Sequence, residues 1–311
     1  MLKYIIKRVL MLIPTLLAVI LIVLFIMDLT PGSPAQAILG AEATPETVAE
    51  VNAKLGYDKP FFVRYVNYVS GLFRGDLGNS YRTSRPVVDE IISRFPTSMK
   101  LAAFGIVLAM LIGIPIGILS AVKQYSSLDI ISTSAAMFFA SMPGFWFGLM
   151  AIIVFALQLG WLPSNGTATW VHYILPSCTL ALPATAAILR LTRTTMLETI
   201  RQDYVRTARA KGQVERNVIF RHALKNALLP VVTYCGVEFG LLMGGLVSIE
   251  TVFSINGLGS WILYSINSKD ITAVTGCAVF LAFTFMIVLL LVDIMYAVID
   301  PRIRAKYTKK A

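Results

Sequence analysis

Six apolar stretches, each long enough to cross a bilayer, constrain this chain more than any other feature of its sequence. A hydrocarbon core about 30 Å thick is spanned by about 20 helical residues, each rising about 1.5 Å. Residues 9–29, 101–122, 130–159, 174–197, 228–253 and 273–299 meet that length. In lipid every backbone N–H and C=O needs a partner within the protein, so such runs are read as helices. Pro143-Gly144 in the third run, with Pro176 and Pro183 in the fourth, are expected kinks. The fold class expected is therefore all-α and integral to the membrane, with about six transmembrane helices in a single membrane domain over residues 1–311. Only 14% of the 311 residues are charged and 57% are hydrophobic, against about 25% charged in soluble domains. A net charge of +10 would suit nucleic acid, but the basic residues gather at the ends of the apolar runs, where membrane orientation places them. No nucleic-acid partner is expected.

Lys3, Lys7 and Arg8 precede the first run, and Ala35-Gln36-Ala37 resembles a signal-peptide cleavage site. The run exceeds the usual 7–15 residues of about such a signal, so it is read as a retained anchor. Counting Lys and Arg then orients the body. The amino terminus carries three, the turn after the second run has Lys123, the segment after the fourth has seven, and the tail has five. On the other side, residues 160–173 have none, and the connection between the last two runs has only Lys269. Both termini are thus expected in the cytoplasm. The extracytoplasmic loop at 30–100 carries eight, but loops of that length are weakly constrained by charge. Its own signals predict helices: Thr44-Pro45 as a start with Gly56 as its end, then a run opened by Pro60 and closed near Gly75. In the latter, Phe61, Tyr65, Tyr68, Val69 and Leu72 share a face, with Arg64 and Asn67 off it. That face is expected either to lie on the outer membrane surface or to pack onto the bundle.

The residues that carry chemistry in enzymes are missing. No G-x-x-x-x-G-K-[ST] phosphate loop, H-E-x-x-H, G-x-S-x-G or Cys-x-x-Cys pattern occurs. Cys178, Cys235 and Cys277 lie inside apolar segments and read as small buried hydrophobes, and His172 and His222 stand far apart. No catalytic residue, metal site or bound cofactor is expected. Ionisable groups within the runs are Arg190, Arg193, Glu238, Glu250 and Asp293; such groups normally pair or line water. Arg190 and Asp293 lie at similar distances from the cytoplasmic ends of their runs and are expected to meet as a structural ion pair, with a place on the transport path as the alternative for them and for Arg193. Glu238 lies deeper and suits a pathway wall, whereas Glu250 near the outer end should be easily solvated. Gly236, Gly240 and Gly244, with Gly245 beside the last, bare one face of the fifth run for close helix approach, which would serve an internal contact or, as favoured here, a partner subunit.

Residues 198–227 form the segment that decides function. It reads Asp203-Tyr-Val-Arg-Thr-Ala-Arg-Ala-Lys-Gly212, then continues through Arg221-His222 to Leu229-Pro230. Both halves suit helix, and Gly212 permits a sharp bend between them. Val214, Val218 and Arg221/His222 are expected on one face of the second half. A polar helix–bend–helix of this kind suits docking into a groove of another protein. An ordinary basic loop remains the plainer alternative on these grounds.

Here the chain resembles the permease subunits of ATP-binding-cassette importers. Gly212 and Leu229-Pro230 match their cytoplasmic EAA coupling loop, although Arg206-Thr207-Ala208 keeps only the last alanine of Glu-Ala-Ala. The departures resemble the dipeptide, oligopeptide and nickel branch, as do Pro31-Gly32-Ser33-Pro34, Leu55 to Pro60, Gly75 to Ser80, Arg94-Phe95-Pro96-Thr97, Glu250 to Phe253 with Gly257-Leu258-Gly259, and Asp300-Pro301-Arg302. The match covers essentially the whole chain. It implies a type I importer permease fold in a bacterial or archaeal cytoplasmic (inner) membrane. It also implies a second homologous permease, two ATPase subunits binding ATP-Mg beneath, an extracytoplasmic solute-binding protein, and uptake of dipeptides or oligopeptides. Asp203, Arg206, Thr207, Ala208, Gly212, Arg221, His222, Leu229 and Pro230 would then couple to the ATPase. Glutathione or nickel import is the alternative within the branch. A stand-alone secondary transporter is the competitor outside it, against which no internal repeat is evident.

Overall fold

The computed structural model of the chain describes residues 2–40 and 43–299; the expected basic tail, with Asp300-Pro301-Arg302, lies outside them. The described residues are built from helices, beginning with α1 (Leu2–Leu29), α2 (Pro34–Leu39), α3 (Pro45–Lys54) and α4 (Phe61–Phe73). Next come α5 (Val87–Val122), α6 (Ser127–Ser141), and α7 (Gly144–Ala151) with a π-helical extension Ile152–Gln158. The later helices are α8 (Ile174–Ile200), α9 (Asp203–Ala210), α10 (Glu215–Asn217), α11 (Leu224–Val252), α12 (Leu258–Asn267) and α13 (Ile271–Ile299). Five stretches are long and apolar enough to cross a membrane: Arg8–Leu29, Val87–Val122, Trp170–Ile200, Glu215–Gly244 and Ile271–Ile294. The pair Ser127–Ser141 and Gly144–Gln158, bent by 99°, makes a sixth if it is one span. The expected kink in the third run is thus a full break. Met142, forced extended by the proline after it, has ψ 134°, which ends α6 and restarts the chain as α7. Pro183 leaves α8 unbroken.

Two compact units divide the chain: residues up to Ser98 with Asn256–Ile287, and Met99–Ile255 with the chain from Val288 onward. In the first, Ile20, Leu24 and Met27 of α1 form a core with Ile271, Val274 and Val279 of α13. The aromatic face of α4 (Phe61, Tyr65, Tyr68, Val69, Leu72) packs onto that core, so the packing alternative holds. Arg64 reaches across to ion-pair with Asp28 of α1, which also accepts a 3.0 Å hydrogen bond from Tyr57. Helix starts follow their signals: Thr44 accepts from the Thr47 amide, and Ser33 with Gln36 forms a capping box. Gly56 and Gly75, both at positive φ, end the turns that follow α3 and α4.

The long loop is shorter than expected, because α5 begins at Val87 instead of residue 101. Asp89, Glu90, Arg94, Pro96 and Lys100 made this stretch look like loop. Its charges are met locally: Glu90 and Arg94 pair one turn apart, and the Arg94 guanidinium lies 5.0 Å from the Trp261 ring centre. Val87 and Ile91 pack with Leu258 and Trp261 of α12 and Ala273 and Cys277 of α13.

In the second unit α8 is the hub, covered by α6, α7 and α11 and closely approached by α5. Close approach of α5 depends on glycines that the sequence reading passed over. A Cβ added at Gly113 would lie 3.0 Å from the Thr185 carbonyl oxygen, and one at Gly117 2.8 Å from that of Leu189. Between apolar helices in lipid there is no water to expel, so such backbone-close contacts do the holding.

Candidate functional site

The bend at Gly212 is built from three local devices. Asp203 in the first turn of α9 suits the positive end of that helix. Gly212 takes φ +74°, and its amide and that of Gln213 bond to the Arg209 and Ala208 carbonyls at 2.9 and 3.3 Å, closing the helix end. Across the turn Arg209 grips Glu215 with two hydrogen bonds, Nε–Oε2 at 3.1 Å and Nη2–Oε1 at 2.6 Å. That carboxylate's hydrogen bonding raises the Arg209 guanidinium above its ordinary pKa. A second tie joins α9 to α11, where the Asn226 side-chain amide donates to the Tyr204 hydroxyl at 2.8 Å.

The inner face of this bend is apolar and closed. Val205 and Ala208 of α9 pack with Val218, Ile219, Ala223 and Ala227, and the cluster extends to Ile118 and Ala121 of α5 and Met196 of α8. Ala208 therefore serves packing inside the chain and is not available to an external partner. Its neighbours Asp203, Arg206, Thr207, Gly212 and Arg221 are exposed, while His222 is half-buried. The expected face of Val214, Val218 and Arg221/His222 is split, with Val218 fully buried and Val214 exposed. Val214 is the extended N-cap residue ahead of α10 and so stands off the helix face, and the wider winding of the π-helical turn at Val218–Ala223 moves Arg221 and His222 off a regular register with Val218. The surface left open carries Tyr204, Val214 and Phe220 among Arg206, Arg216 and Arg221. From Glu215 the helical course runs on as one candidate span to Gly244, through half-buried Leu229 and exposed Pro230.

Within the spans, one ion pair that the structure builds involves a carboxylate the sequence reading missed. Arg193 of α8 holds Asp129 of α6 through Nε–Oδ1 at 2.6 Å and Nη2–Oδ2 at 2.8 Å. Ser120 donates to the same carboxylate, as does the Tyr125 amide at 2.9 Å. Asp129 stands one residue outside the apolar run as drawn, and the N-cap Ser126 three residues before it was the available signal. Arg190, expected opposite Asp293, is exposed and stands near Tyr234, whose hydroxyl is hydrogen-bonded to half-buried Glu238. Glu250, expected in easy reach of solvent, is fully buried with 0% exposure. The glycine ladder also divides. Gly236 abuts Val292 of α13, so it serves a contact within the chain, and Gly240 is buried; Gly244 has nothing within 4 Å of an added Cβ. Among the expected interface glycines, Gly244 is the one facing open space; the side of Gly245 lies outside the described residues.

The sequence profile described as binding-protein-dependent transport system inner membrane component matches residues 113–305, and that of its membrane-component N-terminal region matches residues 1–102. The chain belongs to this family. Its members are inner-membrane components of transport systems, and this one is a multi-pass membrane protein of that kind. A dipeptide transport system permease protein from Alkalihalophilus pseudofirmus is 39% identical over 98% of this chain and all of its own length. A glutathione transport system permease protein from Escherichia coli O6:H1 is 40% identical, again over 98% of this chain and all of its own. Among solved structures, an inward-facing methionine ABC transporter matches with TM-score 0.59 at 18% identity, over 68% of this chain and 96% of its own. An amino acid ABC transporter matches with TM-score 0.52 at 14% identity, over 69% and 94%. These two establish the ABC importer permease fold.

Proposed function

We propose that this chain is the non-catalytic permease subunit of an ATP-binding-cassette importer for dipeptides and oligopeptides. It pairs with a second, homologous permease. Two ATPase subunits, which carry ATP-Mg, bind beneath the pair, with the exposed side of this chain's Gly212 bend as a docking surface, and an extracytoplasmic solute-binding protein delivers cargo. Both termini lie in the cytoplasm. One observation carries the reading: the bend is clamped by Arg209–Glu215, packed onto α5 and α8, and continuous with a membrane span. A push on Tyr204, Val214 or Phe220 would therefore reach α11 with little loss in a flexible joint. The exposed arginines beside them suit an acidic groove.

Glutathione, itself a short peptide, is the second cargo to test, since relatives named for dipeptide and for glutathione transport are equally similar. Purification of the tagged chain from its own membranes tests the assembly: ATPase subunits should accompany it, and Phe220→Glu should release them. Reconstituted uptake of a labelled dipeptide and of glutathione, each with the cognate binding protein, tests the cargo. A chain that moves peptide without any ATPase would overturn the reading.

A further inference from the structure

Near the outer ends of α1 and α13, as the charge pattern orients them, the first unit holds an open cavity of about 540 Å³. Lys54, Lys59 and Arg64 line it, and no carboxylate does among the described lining residues. Arg64 is committed to Asp28, and Lys54 bonds Glu50 at 2.7 Å on the surface; Lys59 has no acidic partner among the described residues. Ile271 and Thr272, the first residues of α13, also line the cavity, so the positive end of a 29-residue helix faces it. The N-cap carboxylate Asp270 is already taken by the Ser80 hydroxyl at 2.5 Å and by the Arg82 and Ala273 amides at 3.3 and 3.1 Å.

Two buried hydroxyls of this cavity are unmet. Thr275 is fully buried, and its Oγ1 has no hydrogen-bond partner; the Tyr68 hydroxyl is likewise buried without one. Such groups are costly until a partner arrives. Burial drives the Tyr68 phenol upward, so it stays a neutral donor. One lining cation without an acidic partner among the described residues, Lys59, and two unmet hydroxyls belong to residues of the same cavity, and an anionic oxygen acceptor answers both. Beside the cavity, α4, which carries Arg64, and α1 share an apolar strip: Phe25, Phe61 and Phe62 stand edge to face in series, with Ile22, Ile26 and Val66 exposed beside them.

We propose that this cavity binds the phosphate-bearing headgroup of an anionic phospholipid, whose chains lie along the exposed strip of α1 and α4. Free phosphate shares the headgroup's chemistry but not its use of the apolar strip, and the cavity is far roomier than one phosphate needs. The assembled transporter, purified in neutral detergent, is the material for the test. Native mass spectrometry and thermal unfolding are read with phosphatidylglycerol, phosphatidylcholine or inorganic phosphate added. Phosphatidylglycerol should stay bound and raise the unfolding midpoint, and neither of the other two should match it. Replacing Lys54 and Lys59 together by serine should weaken its binding about thirtyfold. Thr275→Val, close to isosteric and without the unmet hydroxyl, should weaken it further while leaving the midpoint of the lipid-free protein no lower. Equal protection by inorganic phosphate would make this a free-anion site and overturn the lipid assignment. Unchanged phosphatidylglycerol binding in the lysine and Thr275 variants would remove the site altogether.

Discussion

Gly117 and Gly244 both sit on membrane helices, yet a Cβ on Gly117 would lie 2.8 Å from the Leu189 carbonyl oxygen, while one on Gly244 meets nothing within 4 Å. A backbone oxygen cannot swing aside as a side-chain tip can. Gly117→Ala should therefore cost the isolated chain about 1–3 kcal/mol, read as a lower midpoint in detergent-to-dodecyl-sulfate titration. Gly244→Ala should leave that midpoint unmoved, and equal losses at the two positions would contradict the assignment of their surroundings. Gly244→Leu should instead weaken co-purification with the paired permease, if the open face of α11 is where that subunit sits. The Asp129–Arg193 pair makes a parallel case in charge. Asp129 keeps only 4% of its side chain exposed and Arg193 24%, so removing one partner strands the other. Asp129→Asn should cost about 3 kcal/mol, the low end for a broken buried pair because Arg193 remains partly open. Adding Arg193→Met should recover much of it. Neither fact was visible in the sequence. A spacing rule finds glycines four apart on one helix, such as Gly236, Gly240 and Gly244, but not which of them meets a backbone. A hydropathy boundary drawn at residue 130 excludes Asp129 by one position.

At the scale of an element, the bend at residues 203–225 shows both what a pattern reveals and where it stops. Two helical halves around Gly212 were legible because a positive φ is cheap only for glycine. The inner face was not, because the π-helical turn at Val218–Ala223 breaks the 3.6-residue register on which face assignment rests. The open space around Gly212 changes the expected effect of substitution there. Bulk is not what hurts, since an added Cβ meets nothing within 4 Å; backbone strain is. Gly212→Ala should thus produce most of the effect of Gly212→Trp, about 1 kcal/mol or more of strain in the bend. The expected readout is ATPase activity retained and uptake reduced, with similar reductions in both variants. A normal Gly212→Ala and a defective Gly212→Trp would point to a collision with the partner instead. Glu215→Gln removes one charge of an exposed pair worth at most about 1 kcal/mol. It should leave thermal stability nearly unchanged while lowering uptake per ATP hydrolysed, which separates a positioning role from a purely structural one. Ala208→Glu buries a charge in the cluster around Met196 and Val218, so its defect should appear as loss of the assembled complex. The break between α6 and α7 is the reverse case. Pro143 was read correctly as a disturbance, but whether a proline kinks or divides a helix depends on the neighbours available to take up the freed carbonyls.

Across the whole molecule, the proposed orientation rests on charge alone and can be checked within the second unit. Seven Lys and Arg residues lie in the segment 198–227 and none in 160–173, an asymmetry that holds such short loops to opposite sides of the membrane. The structure gives each segment reachable positions: Thr167 and Gln213 are both exposed. The three native cysteines are each inside a membrane helix, with Cys235 and Cys277 buried, and replacing them by alanine gives a silent background. Thr167→Cys in that background should then react with a membrane-impermeant maleimide on intact cells stripped of any outer barrier. Gln213→Cys should react only after the membrane is opened. The opposite pattern would put the Gly212 bend outside, away from any nucleotide-driven subunit, and with it the cationic cavity near Thr275 would face the cytoplasm. Labelling of both sites from outside would show that residues 170–200 do not cross the membrane as a single span. The experiment bears on function as directly as on topology, because a bend clamped to α5, α8 and α11 transmits force only from the side on which ATP is hydrolysed.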